Sequence, residues 1–240
     1  MNTSELETLI RTILSEQLTP GQTPEQPQGK GIFQSVSEAI DAAHQAFLRY
    51  QQCPLKTRSA IISAMRQELT PQLAALAEES ANETGMGNKE DKLLKNKAAL
   101  DNTPGVEDLT TTALTGDGGM VLFEYSPFGV IGSVAPSTNC GIRNLVVTVA
   151  EPTFEATQQM MAHPRIAVLA ITGGPGIVAM GMKSGKKVIG AGAGNPPCIV
   201  DETADLVKAA EDIINGASFD YNLPCIAEKS LIVVESVAER

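Results

Sequence analysis

The sequence predicts an α/β fold, a parallel sheet with flanking helices, and three observations lead there. Residues of the AVILMFWYC set make up 42% of the chain, yet aromatics are only 4% and Trp is absent, so the core is built from small and branched aliphatics. Gly and Pro number 21 and 14, enough to punctuate many short elements. Apolar residues recur at helical spacing up to about Asn96, and past Gly119 they gather into short continuous runs of strand length.

The 240 residues accommodate one large domain or two small ones. Eighteen Lys and Arg against 28 Asp and Glu leave a net charge of −10, which repels a polyanionic backbone, and no basic patch offsets it. Nucleic acid is therefore not an expected partner. Cys53, Cys140, Cys198 and Cys225 show neither C-x-x-C nor His-paired spacing, and His44 and His163 are the two histidines. A reducing cytosol is expected, without structural zinc or a disulfide framework. The N-terminus opens with Glu5 and Glu7 where a secretory signal would be basic. The uncharged stretches Tyr125 to Ile142 and Ile166 to Met182 each hold Pro and Gly, and read as strand and loop, not as membrane spans.

Residues 1–18 are expected to form a separate amphipathic helix. Ser4 and Glu7 make a capping box, and Leu6, Leu9, Ile10, Ile13 and Leu14 form a stripe opposite Glu5, Glu7, Arg11 and Glu16. The linker 19–30 follows, with three Pro and no apolar side chain. The helix either folds back on its own domain or docks in another protein's groove, and the linker favours docking. A membrane-surface role is disfavoured because the polar face is not basic.

From Ile32 onward Val36, Ala39, Ile40, Ala43 and Phe47 form one helical stripe; Ile61, Ile62, Met65, Leu69, Leu73 and Leu76 form others. Pro54 and Pro71 mark helix starts or breaks, and Gly85 a helix cap. The mixed charges Lys89, Glu90, Asp91, Lys92, Lys95 and Lys97 read as a solvated helix face. Met120 to Ser126 and Val130 to Ala135 are two strand-like runs joined by Pro127-Phe-Gly129, expected to pair with each other. Next come a strand Leu145 to Val149, a helix Phe154 to Met161, a strand Ile166 to Ile171, a glycine turn, a helix Ile177 to Ser184 and a strand Lys187 to Ile189. Strand, glycine turn, helix, strand is the grammar of a nucleotide-binding sheet.

Gly174-x-Gly176-x-x-Ala179 matches the relaxed dinucleotide fingerprint, in which small residues let the backbone approach a pyrophosphate at a helix N-terminus. The ribose-binding carboxylate of a standard Rossmann dehydrogenase has no counterpart, since Asp201 comes too late. The run Gly190-Ala-Gly-Ala-Gly194 suits a backbone pressed against either a ligand or a neighbouring strand. Cys225 follows Pro224 in a polar loop just before the strand Ser230 to Val234, where a nucleophile would sit. Taken by itself such a cysteine is more often a small buried hydrophobe.

Ala135-Pro-Ser-Thr-Asn139, Ile171-Thr-Gly-Gly174, Gly190-Ala-Gly-Ala-Gly-Asn-Pro-Pro197 and Asn222-Leu-Pro-Cys225, in this order, resemble the CoA-acylating branch of the aldehyde dehydrogenase superfamily. With the N-terminal helix and linker, the chain is similar to the members that oxidise propionaldehyde to propionyl-CoA in the propanediol-utilisation bacterial microcompartment during 1,2-propanediol degradation. The resemblance implies an aldehyde dehydrogenase-like, Rossmann-type sheet over residues 31–215 as the NAD-binding domain, and the start of a catalytic domain over 216–240. It implies Cys225 as the nucleophile that forms a thiohemiacetal and then an acyl-thioester, and Asn139 as an oxyanion donor. It also implies Thr172, Gly173 and Gly174 under the cofactor pyrophosphate, with Gly190, Ala191 and Gly192 completing the site. NAD is the expected cofactor and coenzyme A the co-substrate. Ala191 stands where hydrolytic relatives carry a general-base Glu, which leaves the thioester for the CoA thiol. Residues 1–18 would dock on microcompartment shell proteins, and the family forms homo-oligomers.

The chain departs from the family at Asn139-Cys140, where roughly 45 residues of helix, strand and helix are expected and absent. It also reaches Arg240 where the family's catalytic domain has barely begun. Removing a strand and its helices bares apolar faces and opens sheet edges, so poor solubility or inactivity is expected, with shell docking as the function that would remain.

Overall fold

A computed structural model describes residues 31–136 and 147–239, so the helix expected over residues 1–18 and the linker 19–30, with Asn139 and Cys140, lie outside the described residues. After the two-residue strand β1 (Ile32–Phe33) come four helices, α1 (Val36–Tyr50), α2 (Leu55–Leu69), α3 (Leu73–Thr84) and α4 (Lys89–Asn102). Each starts or stops where local chemistry dictates. Ser35 and Glu38 close a capping box on α1, Pro54 precedes α2, and Gly85 ends α3 at φ +62°. The Asn88 side chain accepts from the Asp91 N–H at 2.8 Å to start α4.

The antiparallel hairpin of β2 (Thr112–Gly116) and β3 (Gly119–Phe123) corrects one expectation. The run from Met120 pairs backward with Thr112–Gly116, not forward with Val130. Asp117-Gly118 supplies a two-residue turn, and Gly119 takes φ +126°, a conformation open to glycine. Pro127 and Gly129 serve instead as an exit from the hairpin.

The run at Val130 becomes β4 (Val130–Val134) of a parallel sheet. Following β5 (Thr148–Val149) and α5 (Phe154–Ala162), the unit β6 (Ile166–Thr172), α6 (Pro175–Met182), β7 (Lys187–Ala191) completes that sheet in the order β4-β6-β7. β5 pairs with β1 instead of joining it. Then come β8 (Pro197–Val200), α7 (Leu206–Ser218) and β9 (Ser230–Val233), with β8 and β9 parallel to each other.

The core lies between α1, α5 and the sheet. Val36 and Ile40 from α1, Met161 from α5, and Val130, Ile166, Leu169 and Ile171 from the strands form one buried cluster. Leu169, at the centre of β6, is wholly buried. Burial of such a side chain stabilises by about 1.5–3 kcal/mol, so β6 anchors the turn that follows it. Gly181 of α6 lets the helix close on the sheet, because a Cβ there would lie 2.1 Å from Ile171 Cδ1. Close helix-to-strand packing here thus falls to Gly181.

Candidate active site

Two glycine-lined segments meet at the C-terminal ends of β6 and β7. Thr172 pairs with Ala191 in the last register position, and the Gly173 N–H donates to the Ala191 carbonyl at 3.0 Å. Gly174 is the N-cap of α6, with Pro175 in the first turn. A Cβ at Gly174 or Gly176 would meet nothing within 4 Å, whereas one at Gly173 would lie 2.7 Å from Ile177 Cγ2. The turn is therefore tight inside and open outside, the arrangement a pyrophosphate needs at the carboxyl end of parallel strands.

The second glycine run divides its labour. A Cβ at Gly190 would be 3.1 Å from Val178 Cγ1, and one at Gly194 only 2.0 Å from the Cys225 carbonyl oxygen. Those two glycines serve close packing. Gly192 faces open space and is free to meet a ligand. Because Gly194 carries the backbone of Cys225, the cysteine loop is seated on the same segment that leaves the glycine turn. Neighbouring contacts extend this seat: the Lys229 N–H donates to the Pro196 carbonyl at 3.0 Å, and Ser230 Oγ to Asn195 Oδ1 at 3.3 Å.

Cys225 itself is exposed, which overturns the reading of it as a buried hydrophobe. Cys198 and Cys53 are half-buried. Asn222 Nδ2 donates to the carbonyls of Ala217 at 2.6 Å and Glu228 at 2.9 Å, bridging the two sides of the cysteine loop. Lys229 Nζ donates to the carbonyls of Asn222 and Pro224, both at 3.1 Å, and to Asn222 Oδ1. These side chains join two backbone turn bonds, from the Leu223 N–H to the Asp220 carbonyl and from the Ala227 N–H to the Pro224 carbonyl, both at 3.1 Å, in holding the loop.

Beneath this loop the charged run of α4 corrects a second expectation. Lys92 is 2% exposed and Asp220 is fully buried; Lys92 Nζ and Lys95 Nζ lie 3.2 and 2.9 Å from Asp220 Oδ2. Asp220 Oδ1 accepts from the Asn88 N–H at 3.1 Å, and the Asp220 N–H donates to Asp91 Oδ2 at 2.7 Å. Burial alone would push the Asp220 carboxyl up, but Lys95, the Asn88 amide and Lys92 together hold it below the usual carboxylate range. The solvated-face reading holds for Lys89, Glu90 and Lys97, which are exposed, and fails for Lys92 and Lys95, which lie three residues apart on a face that meets Asp220, and for Asp91 beside them. Sequence reasoning missed Asp220 altogether. The available signal was an Asp five residues ahead of a candidate nucleophile and lysines at i, i+3 on a capped helix.

Residues 137–240 match the model of the aldehyde dehydrogenase family. Across its whole length the chain is 82% identical to the propanal dehydrogenase (CoA-propanoylating) of Salmonella typhimurium, covering 62% of that protein. By these matches the chain is similar to aldehyde dehydrogenases. It spans about 62% of the length of this curated relative. The alignment runs over 286 positions against a chain of 240 residues, so at least 46 of them face no residue here, which agrees with the roughly 45 expected to be absent within the chain. A Rhodopseudomonas palustris propionaldehyde dehydrogenase solved with bound CoA and an acylated cysteine superposes at TM-score 0.80 and 42% identity. That match covers 88% of this chain and 59% of that one. A propionaldehyde dehydrogenase from the Clostridium phytofermentans fucose-utilisation bacterial microcompartment gives TM-score 0.80 at 40% identity, covering 87% of this chain and 59% of that one. Asn139, the expected oxyanion donor, lies outside the described residues. Among the described residues no helix is long and apolar enough to cross a membrane.

Proposed function

We propose that this chain carries the cysteine and cofactor halves of a CoA-acylating aldehyde dehydrogenase acting on a short aldehyde, propionaldehyde in the first instance. The reading rests on one observation above the others. The exposed Cys225 sits on Gly194, three residues beyond the strand end where Gly173 and Ala191 form the open turn. Nucleophile and cofactor turn are thus built on one continuous segment.

The balanced reaction is aldehyde, CoA thiol and NAD⁺ giving acyl-CoA, NADH and a proton. Thr172, Gly173, Gly174, Gly190, Ala191 and Gly192 are the residues that would hold NAD, and the open faces of Gly174 and Gly192 fit it. NAD bound there supplies a hydride acceptor. Cys225 Sγ, as thiolate, adds to the aldehyde carbon, and the new alkoxide is met by the Asn139 amide and the Cys225 N–H. Cys225 then carries the acyl group as a thioester until the CoA thiol takes it. Ala191 offers no carboxylate to activate water, so transfer to CoA is favoured over hydrolysis.

Residues 1–18 would dock on microcompartment shell proteins and bring the chain to the compartment. The supporting observations are the amphipathic stripe of that segment, its linker, and the relatives' identities. Purified chain given propionaldehyde, CoA and NAD decides between this reading and the inactivity that the missing segment predicts: NADH production that Cys225→Ala abolishes supports catalysis. Absence of turnover in the parent chain would reject the enzymatic reading. Shell docking has its own check: the full chain is expected to co-sediment with assembled shells, and a version lacking residues 1–18 to stay in solution.

A further inference from the structure

The proposed mechanism leaves one buried ionic cluster without a task, and that cluster lies at the start of the nucleophile loop. Asp220, Tyr221 and Asn222 have φ of +46°, +55° and +60°, three consecutive non-glycine residues in the left-handed region. Each is disfavoured there by its own Cβ, and such conformations persist only where the surroundings over-determine them. Tyr221 is 72% exposed, so packing of its ring is not the cause.

The cause lies on either side of it. Asp220 is gripped from α4 by Lys92, Lys95, the Asn88 N–H and, at its own N–H, by Asp91. Gly87, at φ +70°, clears the space, since a Cβ there would fall 1.9 Å from Asp220 Oδ1 and 3.0 Å from Leu223 Cδ1. Asn222 is held by Ala217, Glu228 and Lys229. Three residues later the Cys225 carbonyl lands on Gly194. A buried ion cluster is a poor means of raising stability, because apolar side chains of similar volume do as well or better. What it provides is direction, through bonds that fix both carboxylate oxygens and the adjacent amide.

We propose that Asp220, clamped by Lys92 and Lys95 of α4, is the positioning residue for Cys225, setting the left-handed turn from which Leu223-Pro224-Cys225 departs toward its seat on Gly194. The inference rests on the proposed role of Cys225. It adds that helix α4, remote in sequence, determines where the thiol stands.

The test uses the full chain, Asp220→Asn, and the double variant Asp220→Asn/Lys92→Met. Three quantities are followed: amide exchange of residues 219–229 against that of β6, the thermal midpoint, and NADH production from propionaldehyde, CoA and NAD. Asp220→Asn is expected to speed exchange across 219–229 at least tenfold relative to β6. It should lower kcat about 100-fold, with KM for propionaldehyde within about twofold of the parent. Adding Lys92→Met removes a buried cation left short of its counter-charge. The double variant should regain the thermal midpoint while loop exchange stays fast and kcat stays low.

Equal acceleration in β6 and the loop, or recovery of kcat together with the midpoint, overturns the inference and leaves Asp220 a folding residue. A parent chain with no turnover rejects the proposed function instead, and the exchange comparison then decides this one alone. Should Asp220→Asn fail to fold, the double variant carries the same comparison.

Discussion

Around Cys225 the backbone is irregular, and Asp220, Asn222 and Lys229 each make several hydrogen bonds. In the β2–β3 hairpin the backbone is fully regular, yet all ten residues are exposed, with Leu114, Met120, Val121, Leu122 and Phe123 each more than half accessible. Regularity and burial are therefore separate properties in this chain. A hairpin satisfies its backbone through its own ladder and needs no neighbour to persist as a shape. An irregular loop has no ladder, and here side chains within it, Asn222 and Lys229, and others from α4, Lys92 and Lys95, hold its conformation. Among the described residues no buried side-chain polar atom lacks a partner, so the polar brace of the loop is complete while the hairpin's apolar faces are uncovered.

The largest expected effect breaks the brace. Asp220→Asn leaves two lysines facing a neutral amide, one of them 2% exposed, and removing one partner of a buried pair costs about 3–5 kcal/mol. Urea unfolding at neutral pH measures it. Acid does the same to the parent chain. The folded carboxyl of Asp220 titrates below its unfolded value of about 3.9, so its contribution is fully present above that value and is lost as pH falls through the lower folded one. The groups facing it are Lys92, Lys95, the Asn88 amide and Asp91. Parent and Asp220→Asn stabilities should converge below about pH 4, and curves that stay parallel would show that the carboxylate does not govern this region.

A smaller effect separates the two kinds of glycine after β7. Gly194→Ala places a Cβ 2.0 Å from a backbone oxygen that cannot turn away, for an expected loss of about 1–3 kcal/mol and displacement of the cysteine loop. Gly192→Ala meets nothing within 4 Å and should change stability by under about 0.5 kcal/mol. It should nonetheless weaken the thermal stabilisation that added NAD gives, because its open face is where the ligand would lie. Equal losses of stability in both variants would remove the distinction between packing and ligand-facing positions.

Much of the fold was legible because it follows local rules. The unit β6–α6–β7 was readable from apolar runs around Thr172-Gly-Gly174, and the α1 stripe of Val36, Ala39 and Ile40 from its spacing. The glycine run and Cys225 were readable as site candidates by residue type and order. What stayed hidden depended on distant pairing. The strand from Met120 has two apolar neighbours in sequence, and only the Asp117-Gly118 turn, not the apolar pattern, selects Thr112–Gly116 as its partner. Lys92 carries the same charge as any solvated lysine, and its burial is decided by Asp220, which lies 128 residues away.

The smallest expected effect tests the other side of the comparison. Leu122 pairs across the hairpin with Ala113, and its side chain is 57% exposed, so Leu122→Thr exchanges an apolar surface group for a polar one of high strand propensity. Little burial is lost, and the change in unfolding free energy should stay within about 0.5 kcal/mol. Solubility should rise, because the substitution interrupts an apolar patch running from Met120 to Phe123. A loss of more than about 1 kcal/mol would mean that the hairpin is covered in solution by contacts that a single copy of the chain does not make. Its regular ladder would then be a surface completed by association, and the contrast with the self-sufficient cysteine loop would become one between an assembled and an internally braced region.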